Sequence, residues 1–132
     1  MEWGKEYLAA WNTHDEETLV AQFAPDCRYL DLALGLEFEG HDRIRAMFRA
    51  NQASSPDYVW EFRDGFRDGN RYVVEFTYTA NAGGRGIHST KGASVGTLDD
   101  QGRILENHDY WNPSDFPGTD EAVARSIGGS TI

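Results

Sequence analysis

Trp3, Tyr7, Ala10, Trp11 and His14 recur at helical spacing, and Asn12-Thr13-His14-Asp15 then breaks the period and offers Asp15 as the N-cap of a second helix. That second segment presents Leu19, Val20 and Phe23 on one face and is ended by Pro25-Asp26. From Cys27 to Leu32 the period becomes two, so Tyr29 and Asp31 share one face of a strand while Leu30 and Leu32 share the other. Beyond Gly35 and Gly40, Ile44, Met47 and Phe48 mark a third helix over residues 41–51, followed by a loop at Ala53-Ser54-Ser55-Pro56.

The chain then reads as strands to residue 112. Tyr58, Trp60, Phe62 and Phe66 alternate with Val59, Glu61, Arg63 and Arg67, and Asp68-Gly69-Asn70 makes a hairpin turn. The next strand, 71–79, places Tyr72, Val74, Phe76 and Tyr78 on one face and leads into the flexible connection Ala82-Gly83-Gly84-Arg85-Gly86. Strands over 88–98 and 103–112 follow, joined by a turn at Asp99-Asp100-Gln101-Gly102. Helices gathered at the start and a long meander after them predict an α+β fold, a strongly curved antiparallel sheet packed on three N-terminal helices. Long strands with aromatics on one face suggest a cone around an internal pocket. The organisation is one domain over 1–113 and a tail, 114–132, that is partly mobile and ends in Gly128-Gly129-Ser130-Thr131.

Composition sharpens this picture. Leu, Ile, Val and Phe number only 26 of 132 residues, which with a net charge of −10 approaches the signature of disorder, but four Trp and six Tyr argue for a core that is aromatic rather than aliphatic. The basic residues are ten Arg and two Lys, always interleaved with acids, so nucleic acid is not an expected partner. No apolar run approaches the roughly 20 residues that cross a bilayer, and the expectation is a cytoplasmic protein without membrane contact. Cys27 is the sole cysteine, which excludes an internal disulfide and reads as a small buried hydrophobe.

Several motifs in order resemble the nuclear transport factor 2-like superfamily, which includes the SnoaL-like polyketide cyclases, ketosteroid isomerase, scytalone dehydratase and limonene epoxide hydrolase. They are Tyr7-Leu8-Ala9-Ala10-Trp11-Asn12 with Asp15 after it, Ala24-Pro25-Asp26, Tyr29-Leu30-Asp31, Gly40-His41-Asp42 leading to Ile44, Asp68-Gly69-Asn70, and Gly102-Arg103-Ile104 running into Asp109-Tyr110-Trp111-Asn112. The resemblance covers residues 5–112 and implies a bent sheet on three helices with an apolar pocket between, and a homodimer formed across the sheet. It implies no single chemistry, because this fold serves many reactions and also plain binding. Set beside ketosteroid isomerase, Asp31 resembles the general base, Tyr7 an oxyanion-hole tyrosine and Trp111 the tryptophan on the last strand. Ser94 departs from that pattern, standing where a protonated aspartic acid is expected, which weakens half of the oxyanion hole. The SnoaL-like cyclases and limonene epoxide hydrolase are similar in keeping an acid on the final strand, which favours Asp109; the other register would put Asn112 there.

Strand parity selects candidates without the family name. If Trp111 faces the cavity then so do Asp109 and Asn107, if Ser94 does then so do His88, Thr90 and Gly92, and Asp31 brings Tyr29 with it. The expected walls are Trp60, Phe62, Phe66, Phe76 and Tyr78. Two carboxyls and an imidazole in an apolar cone suit acid–base work, since desolvation and mutual repulsion raise carboxyl pKa values. In the preferred roles Asp31 takes a proton from a C–H or from water, His88 with Asp109 donates or orients a proton, and Tyr7 or Tyr29 stabilises developing negative charge. The structural alternatives are that Asp31 accepts backbone N–H groups in the turn before Gly35, that Asp109 pairs with Arg63 or Arg71, that His88 is exposed at the rim, and that Tyr7 is core. His14, His41 and His108 read as surface or cap residues.

Neither metal nor cofactor is expected. His41-Asp42 and His108-Asp109 are adjacent pairs that would diverge in a strand, and Gly83-Gly84-Arg85-Gly86 lacks the Lys-Ser/Thr of a phosphate loop, so it reads as a movable lip of the pocket. The leading expectation is a cofactor-independent isomerase, cyclase, dehydratase or epoxide hydrolase acting on a small, largely apolar substrate. A non-catalytic carrier with the same cone, and an assembly module using the outer sheet face, are the competing classes.

Overall fold

The structure is a computed structural model that describes residues 1–117 and 129–132. Helices α1 (Lys5–Asn12) and α2 (Glu16–Val20) lead into strands β1 (Phe23–Asp31) and β2 (Leu36–Glu39), and helix α3 (His41–Ser54) follows. The remaining long strands are β3 (Val59–Asp68), β4 (Arg71–Ala80), β5 (His88–Leu98) and β6 (Ile104–Tyr110), with a short β7 (Ser130–Thr131). They form one curved, unclosed sheet in the order β3-β4-β5-β6-β1-β2-β7. All ladders are antiparallel except β1 with β6, which is parallel and aligns Asp31 with Asp109.

The α+β architecture on three N-terminal helices agrees with the sequence pattern, and most departures are local. Phe23 does not extend α2: the helix ends at Val20, and Phe23 opens β1, buried against Tyr7 and Tyr29. Pro25 is tolerated inside that strand because the register with β6 breaks between Phe23 and Arg28, where no ladder N–H is required. The four residues of β2, too short to show alternation, are not legible in the sequence. Within the tail, Pro113–Asp115 forms a single 3-10 turn, Phe116 is buried, and Ser130 and Thr131 pair with Leu36 and Glu37, while residues 118–128 lie outside the described part.

The helices cover the concave face. Asn12 fixes the end of α1 to β3 by mimicking a strand neighbour: its Nδ2 donates to the Trp60 carbonyl at 2.8 Å and its Oδ1 accepts from the Trp60 N–H at 2.9 Å. Asp15 caps α2 as predicted, accepting from the Thr18 N–H at 3.0 Å. His14 is not a surface residue; with φ of +55° it tucks its ring on Tyr58 and bonds Gln52 at 2.8 Å, linking the α1–α2 turn to α3. The core is aromatic, with Trp11 against Tyr58 and Trp60, and Trp60 against Phe76 and Tyr78. Such ring pairs favour offset or edge contacts and contribute about 0.5–1.5 kcal/mol each beyond burial.

Candidate functional site

A cavity of about 350 Å³ opens between α3 and the concave face of the sheet. Its walls are mainly Trp11, Phe38, Met47, Trp60, Phe76, Tyr78 and Phe116, and its polar side chains include Asp31, Asp109, Tyr29, Asn51, Thr90 and Arg85. The two aspartates come from different ends of the chain and meet because β1 lies beside β6 in parallel register, with Tyr29 opposite Asn107 and Asp31 opposite Asp109. Side chains of register partners point to the same face, so both carboxyls enter the same cavity.

Asp109 is 3% exposed and is held from three sides. Ser94 Oγ donates to Oδ1 at 2.5 Å, Asn107 Nδ2 donates to the same oxygen at 2.8 Å, and the Tyr29 hydroxyl donates to Oδ2 in a short contact. Asn107 is itself set by the Tyr72 hydroxyl, which donates to its Oδ1 at 2.6 Å. Burial raises the pKa of Asp109, opposed by these donors. Asp31 accepts the Trp111 indole N–H at 3.0 Å and the Leu34 N–H at 3.1 Å. Its carboxyl is pushed up to about 7, first by desolvation and then by the charge of Asp109, while the N–H donors pull it down. The phenol of Tyr29 lies well above its ordinary value, mainly through burial and then through the Asp109 charge, so it remains a proton-bearing donor at neutral pH.

Asp31, Asp109, Tyr29, Trp60, Phe76, Tyr78 and Trp111, singled out from the sequence as catalytic or wall residues, line this cavity, as do Thr90 from the parity set and Gly83 and Arg85 from the expected lip. Ser94 and Asn107 stand behind Asp109 rather than in the lining, both with 0% exposure. Tyr7 is also set back, accepting the Trp11 indole N–H at 3.1 Å and bonded to Tyr29; it borders a separate polar cavity of about 400 Å³ near the N-terminus. His88 does not join Asp109; it lies at the start of β5 beside Phe116, ring centroids 6.2 Å apart. Phe62 is outside the lining because it packs under Gly4, with the Lys5 ammonium 5.2 Å from its ring centre. Phe66 is corrected more sharply: a β-bulge between Phe62 and Asp64 shifts the strand phase, so Gly65 turns inward and Phe66 is 55% exposed.

Asp109 makes no pair with Arg63 or Arg71; its bonded partners are Ser94, Asn107 and Tyr29. Among the described residues no three His, Cys, Asp or Glu side chains converge as a metal site. Cys27 is buried, with a thiol pushed up to about 11 chiefly by desolvation. Missed by the sequence reading are Met47, Asn51, Ser54 and Ser55, although their spacing continues one face of α3 beyond residue 51. Phe116 carries no sequence signal, since it closes the cavity from an irregular segment after β6.

A family model described as the SnoaL-like domain matches residues 5–107. Among solved structures, a protein of ketosteroid isomerase-like fold from Catenulispora acidiphila, crystallised with trimethylamine, is 22% identical with a TM-score of 0.77, covering 83% of this chain and 84% of that one. SalBIII, an epoxide hydrolase/cyclase-like enzyme of pyran ring formation in the polyether salinomycin, is 20% identical with a TM-score of 0.73, covering 83% and 88%. An NTF2-like protein of unknown function from Burkholderia pseudomallei is 22% identical with a TM-score of 0.74, covering 83% and 88%. Comparison with curated proteins gives no match. At these identities the neighbours establish the fold, not the reaction.

Proposed function

The chain belongs to the SnoaL-like domain family, and we propose that it is a cofactor-independent acid–base enzyme acting on a small, largely apolar substrate. The observation that carries this reading is the register pairing of Asp31 with Asp109 at the inner end of an aromatic cavity. Three donors make Asp109 the easier of the two to ionise, and burial first, with the Asp109 charge second, holds the Asp31 proton to about pH 7. Asp31 is thereby half ionised near neutrality, the condition in which one carboxyl can take a proton and return it. The roles are Asp31 as the base that removes a proton from a C–H or from water, and Asp109 as the fixed charge that tunes it. Trp111 and Leu34 hold Asp31 in place, and the walls around it are largely apolar.

Isomerase, cyclase, dehydratase and epoxide hydrolase chemistry all use such a base, and the likeness to SalBIII, an epoxide hydrolase/cyclase-like enzyme, supports the cyclase and epoxide hydrolase types without selecting between them. The non-catalytic carrier reading draws support from one feature: both carboxyls are already engaged by protein donors, as in a structural network. Carboxyl titration followed by ¹³C NMR separates these. Asp31 is expected to titrate near pH 7 and to move toward the ordinary carboxyl range in Asp109→Asn; an Asp31 midpoint near 4 in the wild type would sink the acid–base reading. In a turnover screen against small epoxides and unsaturated ketones, Asp31→Asn should abolish any activity found, whereas a carrier would keep its affinity.

A further inference from the structure

The cavity has a charged mouth as well as an acidic inner end. Arg85 lies in the loop between β4 and β5 and lines the opening beside Ala82 and Gly83. The ion pairs of Arg28 with Glu37, Arg45 with Glu17, Arg49 with Glu16 and Arg103 with Asp99 involve no residue that lines the cavity. Among the described residues the Arg85 side chain makes no hydrogen bond or ion pair, and no other Lys or Arg lines the cavity. The loop that carries it is nonetheless anchored, since Asp57 accepts the Asn81 N–H at 3.1 Å and Asn81 Oδ1 accepts the Gly86 N–H at 2.9 Å. Arg85 is exposed, and the glycines on either side of it, Gly84 and Gly86, have φ of +72° and +100°.

This arrangement discriminates by charge along the length of a bound molecule. A negative group at the inner end would face Asp31 and Asp109; at the mouth it would meet an unpaired guanidinium. The net charge of −10 opposes anions generally, so a single local cation changes which anions can enter and in which orientation. One guanidinium matches one carboxylate through paired N–H donors, while a phosphate dianion would bring a second charge with no second cation in the lining.

Resting on the reading of this cavity as a substrate site, we propose that Arg85 is a specificity residue selecting substrates with an apolar body and a terminal carboxylate, held at the mouth so that the far end reaches Asp31. The probes are 2-naphthylacetic acid and its neutral primary amide, titrated by calorimetry at pH 7 into wild type, Arg85→Gln, Arg85→Lys and Asp31→Asn. Wild type should prefer the acid by roughly tenfold, the scale of one charge-assisted hydrogen-bonded pair. Arg85→Gln should lose that preference with unchanged amide affinity, Arg85→Lys should keep part of it, and added salt should weaken acid binding alone. Equal binding of acid and amide by wild type, an undiminished preference in Arg85→Gln, or no binding of either probe at millimolar concentration would overturn the proposal. Asp31→Asn should retain the preference for the acid. That preference together with an ordinary Asp31 titration would uphold Arg85 while removing the acid–base role, so the two ideas fail separately.

Discussion

Asp31 keeps its proton to about pH 7 in the folded chain, against an unperturbed value of about 3.9 for an aspartic acid. The folded state therefore binds more protons than the unfolded state between these values, and stability falls as pH rises through the window. Each unit of displacement corresponds to about 1.4 kcal/mol. Asp31→Asn removes the titration while its amide oxygen can still accept from Trp111 and Leu34. The variant should gain thermal stability over wild type at pH 8 and lose most of that advantage at pH 4, as followed by melting curves across the range. A constant difference between the two proteins would mean that Asp31 is not strained by ionisation. The groups that face it are Asp109 across the ladder, Tyr29 two residues before it and Trp111 beyond β6, so the effect belongs to this cluster.

At the scale of elements, the site depends on how closely β4, β5 and β6 approach one another. Gly96 is the register partner of both Tyr72 and Asn107, and a Cβ there would meet the Glu106 carbonyl at 2.0 Å and the Tyr72 hydroxyl at 2.6 Å. The missing side chain lets Tyr72 lie across β5 and reach Asn107, which in turn holds Asp109. Gly96→Ala should destabilise by about 1–3 kcal/mol, as overpacking does, seen as a lower urea midpoint, and should loosen Asp109. Its opposite outcome, an unchanged midpoint, would show that the ladder yields at this point. Strand parity was enough to bring Tyr29 with Asp31 and Asn107 with Asp109, because alternation is a strictly local rule. It failed at Phe66, where one bulged residue reversed the phase, and at His88, where parity holds but the strand end lies far from the acids. Phase errors of that kind leave no mark in a single sequence, because Arg63 is as acceptable in a regular strand as in a bulge.

For the molecule as a whole, the family resemblance implied a bent sheet on three helices around a pocket, while the return of β1 to lie beside β6, which brings the two acids together, is shown by the structure alone. The outer face of the same sheet carries Phe66 and Val73 as partners, with Val95 next to Val73 and Tyr110 next to Ala93. Phe66 and Tyr110 are 55% and 46% exposed. We propose that this strip supports a homodimer; sedimentation should give twice the chain mass, and Phe66→Glu should return the monomer. A wild-type monomer at micromolar concentration would remove that role. No helix among the described residues is long and apolar enough to span a membrane.

The parallel ladder between β1 and β6 also has a kinetic consequence. Its strands are joined by almost the whole intervening chain, so the loop that must close is long and the contact it rewards comes late. A nascent or partly refolded chain can already hold the β3-β4-β5 hairpins while its two acids remain apart, each with an ordinary affinity for protons. The elevated Asp31 titration requires that ladder, so its reappearance after dilution from urea would time the pairing of β1 with β6.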